Sequence, residues 1–121
     1  MVNQGSPRFL EILEELKEIH LKKSAGYAGS DNPDTFANFR KSQEFGISAV
    51  KGCLVRMSDK FVRVCNLIRL PSNEQVGETI KDTLKDLASY AIIMLCLIEE
   101  EEADRFLAGD AWDGKIPGLE K

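Results

Sequence analysis

Six apolar residues, Val50, Leu54, Met57, Phe61, Val64 and Ile68, recur at alternating spacings of four and three, and the pattern stops at Pro71. Those spacings keep all six on one stripe of a 3.6-residue helix, and proline lacks the N–H that would carry the helix further. The pattern predicts a helix over about 48–70. A second periodic segment, about 7–23, has Ser6 as N-cap and Pro7 at the first helical position. Its apolar stripe is Phe9, Ile12, Leu13, Leu16 and Ile19, and Glu11, Glu14, Glu15 and Glu18 occupy its other side. A third runs from Asn73 or Glu74 to about Glu102, and its stretch Ala91–Ile98 is apolar on every side. No strand-like alternation occurs, so the chain reads as all-α: a small helical bundle, about 7–102, with an irregular tail over 103–121.

With 121 residues the chain has the length of a single domain. Residues 24–46 predict a long ordered connection between the first two long helices. Gly26, Gly29, Asn32-Pro33 and Asp34 supply turn chemistry, while Tyr27, Phe36, Phe39 and Phe45 give it the aromatics that disordered tracts lack. A helical turn is expected near 35–42. One small core cannot absorb an all-round apolar segment as well as two apolar stripes. A homodimer or homotetramer, with the last helix at the interface, is therefore expected.

The charge of −4 excludes a sequence-independent grip on a nucleic-acid polymer, which requires a basic surface. It leaves room for a nucleotide held by a local basic pocket or a metal. Cys53, Cys65 and Cys96 show no metal-ligand spacing and read as free thiols of a reducing compartment. With no leader pattern and no run approaching the roughly 20 residues of a membrane span, the expected location is the cytoplasm, with no membrane partner.

Within the last helical segment, Glu78, Asp82 and Asp86 span roughly 80° of one face at about 100° per residue. Two turns later that face becomes Ser89, Ile93, Cys96 and Leu97. A purely solvated face would stay polar, so the acids are expected to point into a groove. Clustered carboxylates there call for a divalent cation, and oxygen ligands favour Mg²⁺ or Mn²⁺. The simpler reading, in which Lys81 and Lys85 neutralise a wet face, stays open. Glu15 and Glu18, at i and i+3, form a second acid pair on another helix, as bundles that hold metals do.

Arg56, Asp59, Lys60 and Arg63 share the polar side of the middle helix. They read either as a clamp on phosphate oxygens or as a solvated surface with an Asp59–Arg63 ion pair. Lys23 follows His20 at i+3 near the end of the first helix. In the connection, Tyr27 and Phe39 are candidates to stack on a base and Asn38 to pair with its edge; the aromatics could equally anchor the connection to the bundle.

The segments HLKKSAGYAG, NPDTFANFR, GCLVRMSDKFVRVCNL and VGETIKDTLKDLASYAII, in that order, resemble a family of small phage and bacterial proteins described as MazG-like or nucleotide-modification-associated. The similarity covers about residues 9–98. Its wider superfamily, the all-α nucleoside triphosphate pyrophosphohydrolases, holds Mg²⁺ with acidic pairs on two helices and releases a monophosphate and pyrophosphate. The resemblance implies a metal held by Glu15, Glu18, Glu78 and Asp82, with Asp59 or Asp86 as replacements, because Glu78 to Asp82 is E-x-x-x-D where the superfamily has E-x-x-D. It further implies catalytic roles for the first four carboxylates and a pyrophosphate site at Lys23, Arg56, Lys60 and Arg63. Tyr27, Asn38 and Phe39 would form the base pocket, and the cell would be a phage host. Two other readings use the same residues: a nucleotide-binding protein that does not cleave its ligand, and an acidic docking module.

Overall fold

The computed structural model describes residues 3–28, 34–70 and 79–107, with the backbone alone for 25–28. All regular structure among the described residues is helical: α1 (Pro7–Ala28), α2 (Ala37–Arg40), a 3₁₀ segment (Lys41–Phe45), α3 (Ala49–Arg69) and α4 (Ile80–Leu107). None of these helices is long and apolar enough to cross a membrane. The chain divides into two compact units, Met1–Asn38 and Phe39–Lys121.

In the first unit, the Ser6 hydroxyl accepts from the Phe9 N–H at 3.3 Å, so α1 starts where its N-cap places it. The helix continues five residues past Lys23, the end expected from its stripe. Lys23 therefore lies more than a turn inside α1 and not in its last turn. Leu16 is buried, Ile12 and Ile19 are half-buried, and Phe9 and Leu13 are exposed. After 29–33, which lie outside the described residues, Asp34 starts the next turn. Its carboxylate accepts from the Phe36 N–H at 3.0 Å, and its carbonyl accepts from Ala37 at 3.2 Å. The His20 and Phe36 rings are tilted at 6.4 Å between centroids.

The second unit is built on α3 and α4, which run antiparallel: Cys53 meets Tyr90, and Lys60 meets Asp86. The Ser48 hydroxyl accepts from the Lys51 N–H at 3.1 Å and starts α3 as its sequence predicts. Val50, Cys53 and Leu97 are almost fully enclosed between the helices. Burial of a valine or leucine of this kind stabilises by roughly 1.5–3 kcal/mol. Thr83 is also fully buried, and its hydroxyl donates to the Thr79 carbonyl at 3.1 Å, so enclosure leaves no polar group unsatisfied there.

The start of α4 departs from the sequence reading. It begins at Ile80, with residues 71–78 outside the described set, and not at Asn73 or Glu74. The physical reason is a reciprocal cap. Thr79 Oγ1 accepts from the Asp82 N–H at 3.1 Å, and Asp82 Oδ2 accepts from the Thr79 N–H at 3.2 Å and its hydroxyl at 3.0 Å. At its other end α4 runs to Leu107, five residues into the expected tail; the remainder of that tail, with Trp112, lies outside the described residues.

The segment 39–45 lies across α3 and α4. Phe39 is buried, and Arg40 Nη2 reaches Glu100 Oε2 on α4 at 2.7 Å. The Ser42 hydroxyl sits 3.3 Å from the Phe39 carbonyl and 3.1 Å from that of Ser48. Gly52 makes room for it: a Cβ there would stand 2.7 Å from Ser42 Oγ. Gly46, at φ 75°, ends the segment in the left-handed region that glycine adopts without strain.

Candidate functional site

Arg56, Lys60 and Arg63 fall within about 60° of the α3 circumference at 100° per residue. All three are half-buried, and Nε and Nη2 of the Arg63 guanidinium are themselves enclosed. Across from them α4 contributes Asp86, whose Oδ2 lies 3.1 Å from Lys60 Nζ, both side chains being about a quarter exposed.

An aromatic pair closes one end. The Arg56 guanidinium lies 4.6 Å above the Phe39 ring centroid, within cation–π range. Phe39 in turn meets Tyr90 edge-on, at 5.9 Å and 76°. Beneath this pair the Cys53 thiol donates to the Tyr90 carbonyl at 3.4 Å, and burial pushes its pKa up to about 11. At neutral pH it is a packed, protonated thiol and not a nucleophile.

Such a face suits an anion with a planar group. Guanidinium forks and a lysine ammonium grip non-bridging phosphate oxygens, and a half-buried setting screens those contacts less than open solvent does.

The remaining expected site residues are distributed as follows. Glu15 is half-buried on α1, with its Oε1 3.1 Å from Arg8 Nη1, and Glu18 is exposed on the same helix. Asp82 is occupied with the α4 cap, and the hydrogen bonds from Thr79 hold its carboxyl below the usual aspartate range. Asp86 is paired with Lys60. Glu78 lies outside the described residues, and α4 begins two residues after it. The side chain of Tyr27, on the last turn of α1, is likewise outside them. Among the described residues no three His, Cys, Asp or Glu side chains are grouped as a metal site. Asp59 is exposed, Lys23 is exposed and Asn38 is half-buried.

Phe39 is placed as an anchor: with a relative exposure of 9%, one face under Arg56 and Tyr90 at its edge, it is packed where a base-stacking ring would be open. Arg40, Ser42, Gly52, Tyr90 and Glu100 were not singled out by sequence reasoning. Tyr90 had a usable signal, since it follows Asp86 at i+4 on the same helix face. Arg40 and Glu100 are sixty residues apart and share no local pattern.

Comparison of the chain with protein-family models, with curated proteins and with solved structures finds no match.

Proposed function

We propose that the chain binds a nucleoside triphosphate along the Arg56–Lys60–Arg63 face and, with Mg²⁺ (or Mn²⁺), hydrolyses it to a monophosphate and pyrophosphate. The observation that carries the binding half is the half-buried row of three cations beside the aromatic pair of buried Phe39 and half-buried Tyr90. Hydrolysis is what the family resemblance adds. Water would attack the α-phosphorus, the bond to the bridging α–β oxygen would break, and pyrophosphate would leave. Bound metal would supply charge neutralisation at the phosphates. Its proposed ligands are Glu15, Glu18, Glu78 and Asp82, with Asp86 in reserve. On α3 the cations hold the leaving pyrophosphate, and Lys60 exchanges Asp86 for a phosphate oxygen. Lys23, Tyr27, Asn38 and Asp59 complete the proposed pocket. The protein would act as a homodimer or homotetramer in the cytoplasm of a phage host.

A second reading is favoured by the carboxylates themselves. Glu15, Asp82 and Asp86 already have protein donors, which suits a protein that sequesters a nucleotide without cleaving it. Asp86→Asn separates the two. If Asp86 only competes for Lys60, the change tightens nucleotide binding several-fold. If Asp86 serves the metal, it abolishes Mg²⁺-dependent release of pyrophosphate. A panel of the eight common ribo- and deoxyribonucleoside triphosphates, with product identification by ion-exchange chromatography, reads both. No binding and no turnover with any of them would remove both readings.

A further inference from the structure

Phe39 and Arg40 are neighbours in the chain, yet they reach α4 at points far apart. The Phe39 ring meets Tyr90 edge-on, and Arg40 Nη2 lies 2.7 Å from Glu100 Oε2. Tyr90 and Glu100 are roughly 15 Å apart along the helix, at its rise of about 1.5 Å per residue. A third contact reaches α3: the Ser42 hydroxyl lies 3.1 Å from the Ser48 carbonyl and fills the space that Gly52 leaves. One contact would let the 39–45 segment pivot, whereas three that do not share a line fix both its position and its orientation. Internal stiffness cannot substitute for them, because α2 is a single turn of four residues, below the length at which a helix holds itself.

What the segment carries is the floor under Arg56, whose Cζ stands 4.6 Å from the Phe39 ring centroid. A guanidinium over a ring makes that contact through its face, while its N–H donors lie in its own plane and point off the ring. The ring therefore restricts the tilt of the fork without consuming its donors, which is the preorganisation that bidentate contact with an oxyanion requires.

The Arg40 and Glu100 side chains are 32% and 44% exposed, and ion pairs in that setting add little to overall stability. Glu101, the next residue of α4, is a second carboxylate that feels Arg40: burial raises its carboxyl above the usual glutamate range, and Arg105 and Arg40 act against that rise. Removing Arg40 thus breaks the attachment more fully than removing Glu100, whose place Glu101 can take in part.

We propose that Arg40 and Glu100 are positioning residues of the phosphate face. Their ion pair fixes the 39–45 segment on α4, the segment holds the Phe39 ring, and the ring sets the direction of the Arg56 fork. Both residues act through Phe39 and Arg56. The effect on affinity rests on the nucleotide reading above; the setting of Arg56 does not.

The experiment is ¹H–¹⁵N NMR of the arginine Nε–H groups of the full chain, in mildly acidic buffer that slows their exchange, with titration calorimetry beside it. Loss of a signal in Arg56→Lys identifies Arg56. In wild type the Phe39 ring current should displace that signal upfield, and Phe39→Leu should return it to the ordinary arginine position. Arg40→Gln is expected to move it most of the way there and Glu100→Gln part of the way, while Arg40→Lys, which keeps the charge, retains most of the displacement. Urea midpoints of the Arg40 and Glu100 variants should stay close to wild type. For a triphosphate that binds wild type, Arg40→Gln should weaken binding about two- to fivefold, the share that seating an arginine on a ring is worth, and should add nothing to Arg56→Ala. An Arg56 signal unmoved in Arg40→Gln overturns the proposal, and so does a binding loss that persists in full on the Arg56→Ala background. If no triphosphate binds wild type, the function proposed above falls, while a moved Arg56 signal still upholds the positioning pair. If Arg40→Gln loses helix content by circular dichroism, Glu100→Gln is read in its place.

Discussion

Replacing Phe39 by alanine removes the piece that fastens residues 39–45 to the α3–α4 pair. Phe39 is 9% exposed, and enclosing a side chain of this size stabilises by about 2–3 kcal/mol. The edge-on contact with Tyr90 adds about 0.5–1.5 kcal/mol, and the guanidinium of Arg56 over the ring adds roughly 0.5–1 kcal/mol. Phe39→Ala should therefore cost about 3–5 kcal/mol, in the range seen for truncated core phenylalanines. With a urea slope near 2 kcal/mol per M, the midpoint read by circular dichroism falls by roughly 2 M. Phe39→Leu retains most of the apolar volume but neither ring contact, so about 1–2 kcal/mol is expected for it. The comparison also bears on the site, because Phe39 seats Arg56. Phe39→Leu should weaken nucleotide binding less than Arg56→Ala does. A loss below about 1 kcal/mol for Phe39→Ala would refute the anchoring role. Equal binding losses for Phe39→Leu and Arg56→Ala would restore Phe39 as a ring that itself touches the ligand.

Gly52→Ala improves helix propensity by about 1 kcal/mol yet should destabilise, because its Cβ would meet Ser42 Oγ at 2.7 Å; Gly52→Ala with Ser42→Gly should relieve the clash and recover stability in the same urea titration. The lowered pKa of Asp82 gives α4 a cap that is fully present above the ordinary aspartate value of 3.8 and is lost as pH falls through the lower folded value. Asp82→Asn should therefore flatten the acid limb of a stability–pH profile, and an unchanged limb would contradict the cap. Thr79→Ala removes the two hydrogen bonds of the Thr79 hydroxyl, keeps the backbone N–H bond to Asp82, and should lower stability by about 1 kcal/mol without altering nucleotide affinity, as thermal shift and calorimetry would report.

The helical elements were legible in the sequence wherever period and punctuation agreed. Ser6-Pro7 and Ser48 marked two starts, and Pro71 marked one end. The start of α4 was missed because Glu78, Asp82 and Asp86 at i, i+4 and i+8 resemble a continuous helical face. The stronger signal was Thr79-x-x-Asp82, a cap pattern that sets the boundary between the first and second of those acids. Spacing therefore grouped a capping carboxylate with a carboxylate that pairs across helices. In the site, the row Arg56, Lys60 and Arg63 follows from the period of one helix. Its neighbours do not: Phe39 beneath Arg56, Asp86 against Lys60, and Arg40 against Glu100 depend on how α3, α4 and the 39–45 segment pack. Phe39 was visible as an aromatic in a connection, but only its burial shows that it anchors.

The central claim is that the half-buried cations of α3 hold nucleotide phosphates. Isothermal titration of wild type, Lys60→Gln and Arg63→Gln with each nucleoside triphosphate, with and without Mg²⁺, tests it most directly. At least one triphosphate should bind wild type, each substitution should weaken that binding at least tenfold, and a Lys51→Gln control on the same helix should leave it unchanged. Equal affinities for all four proteins, or no heat with any triphosphate, would contradict the account.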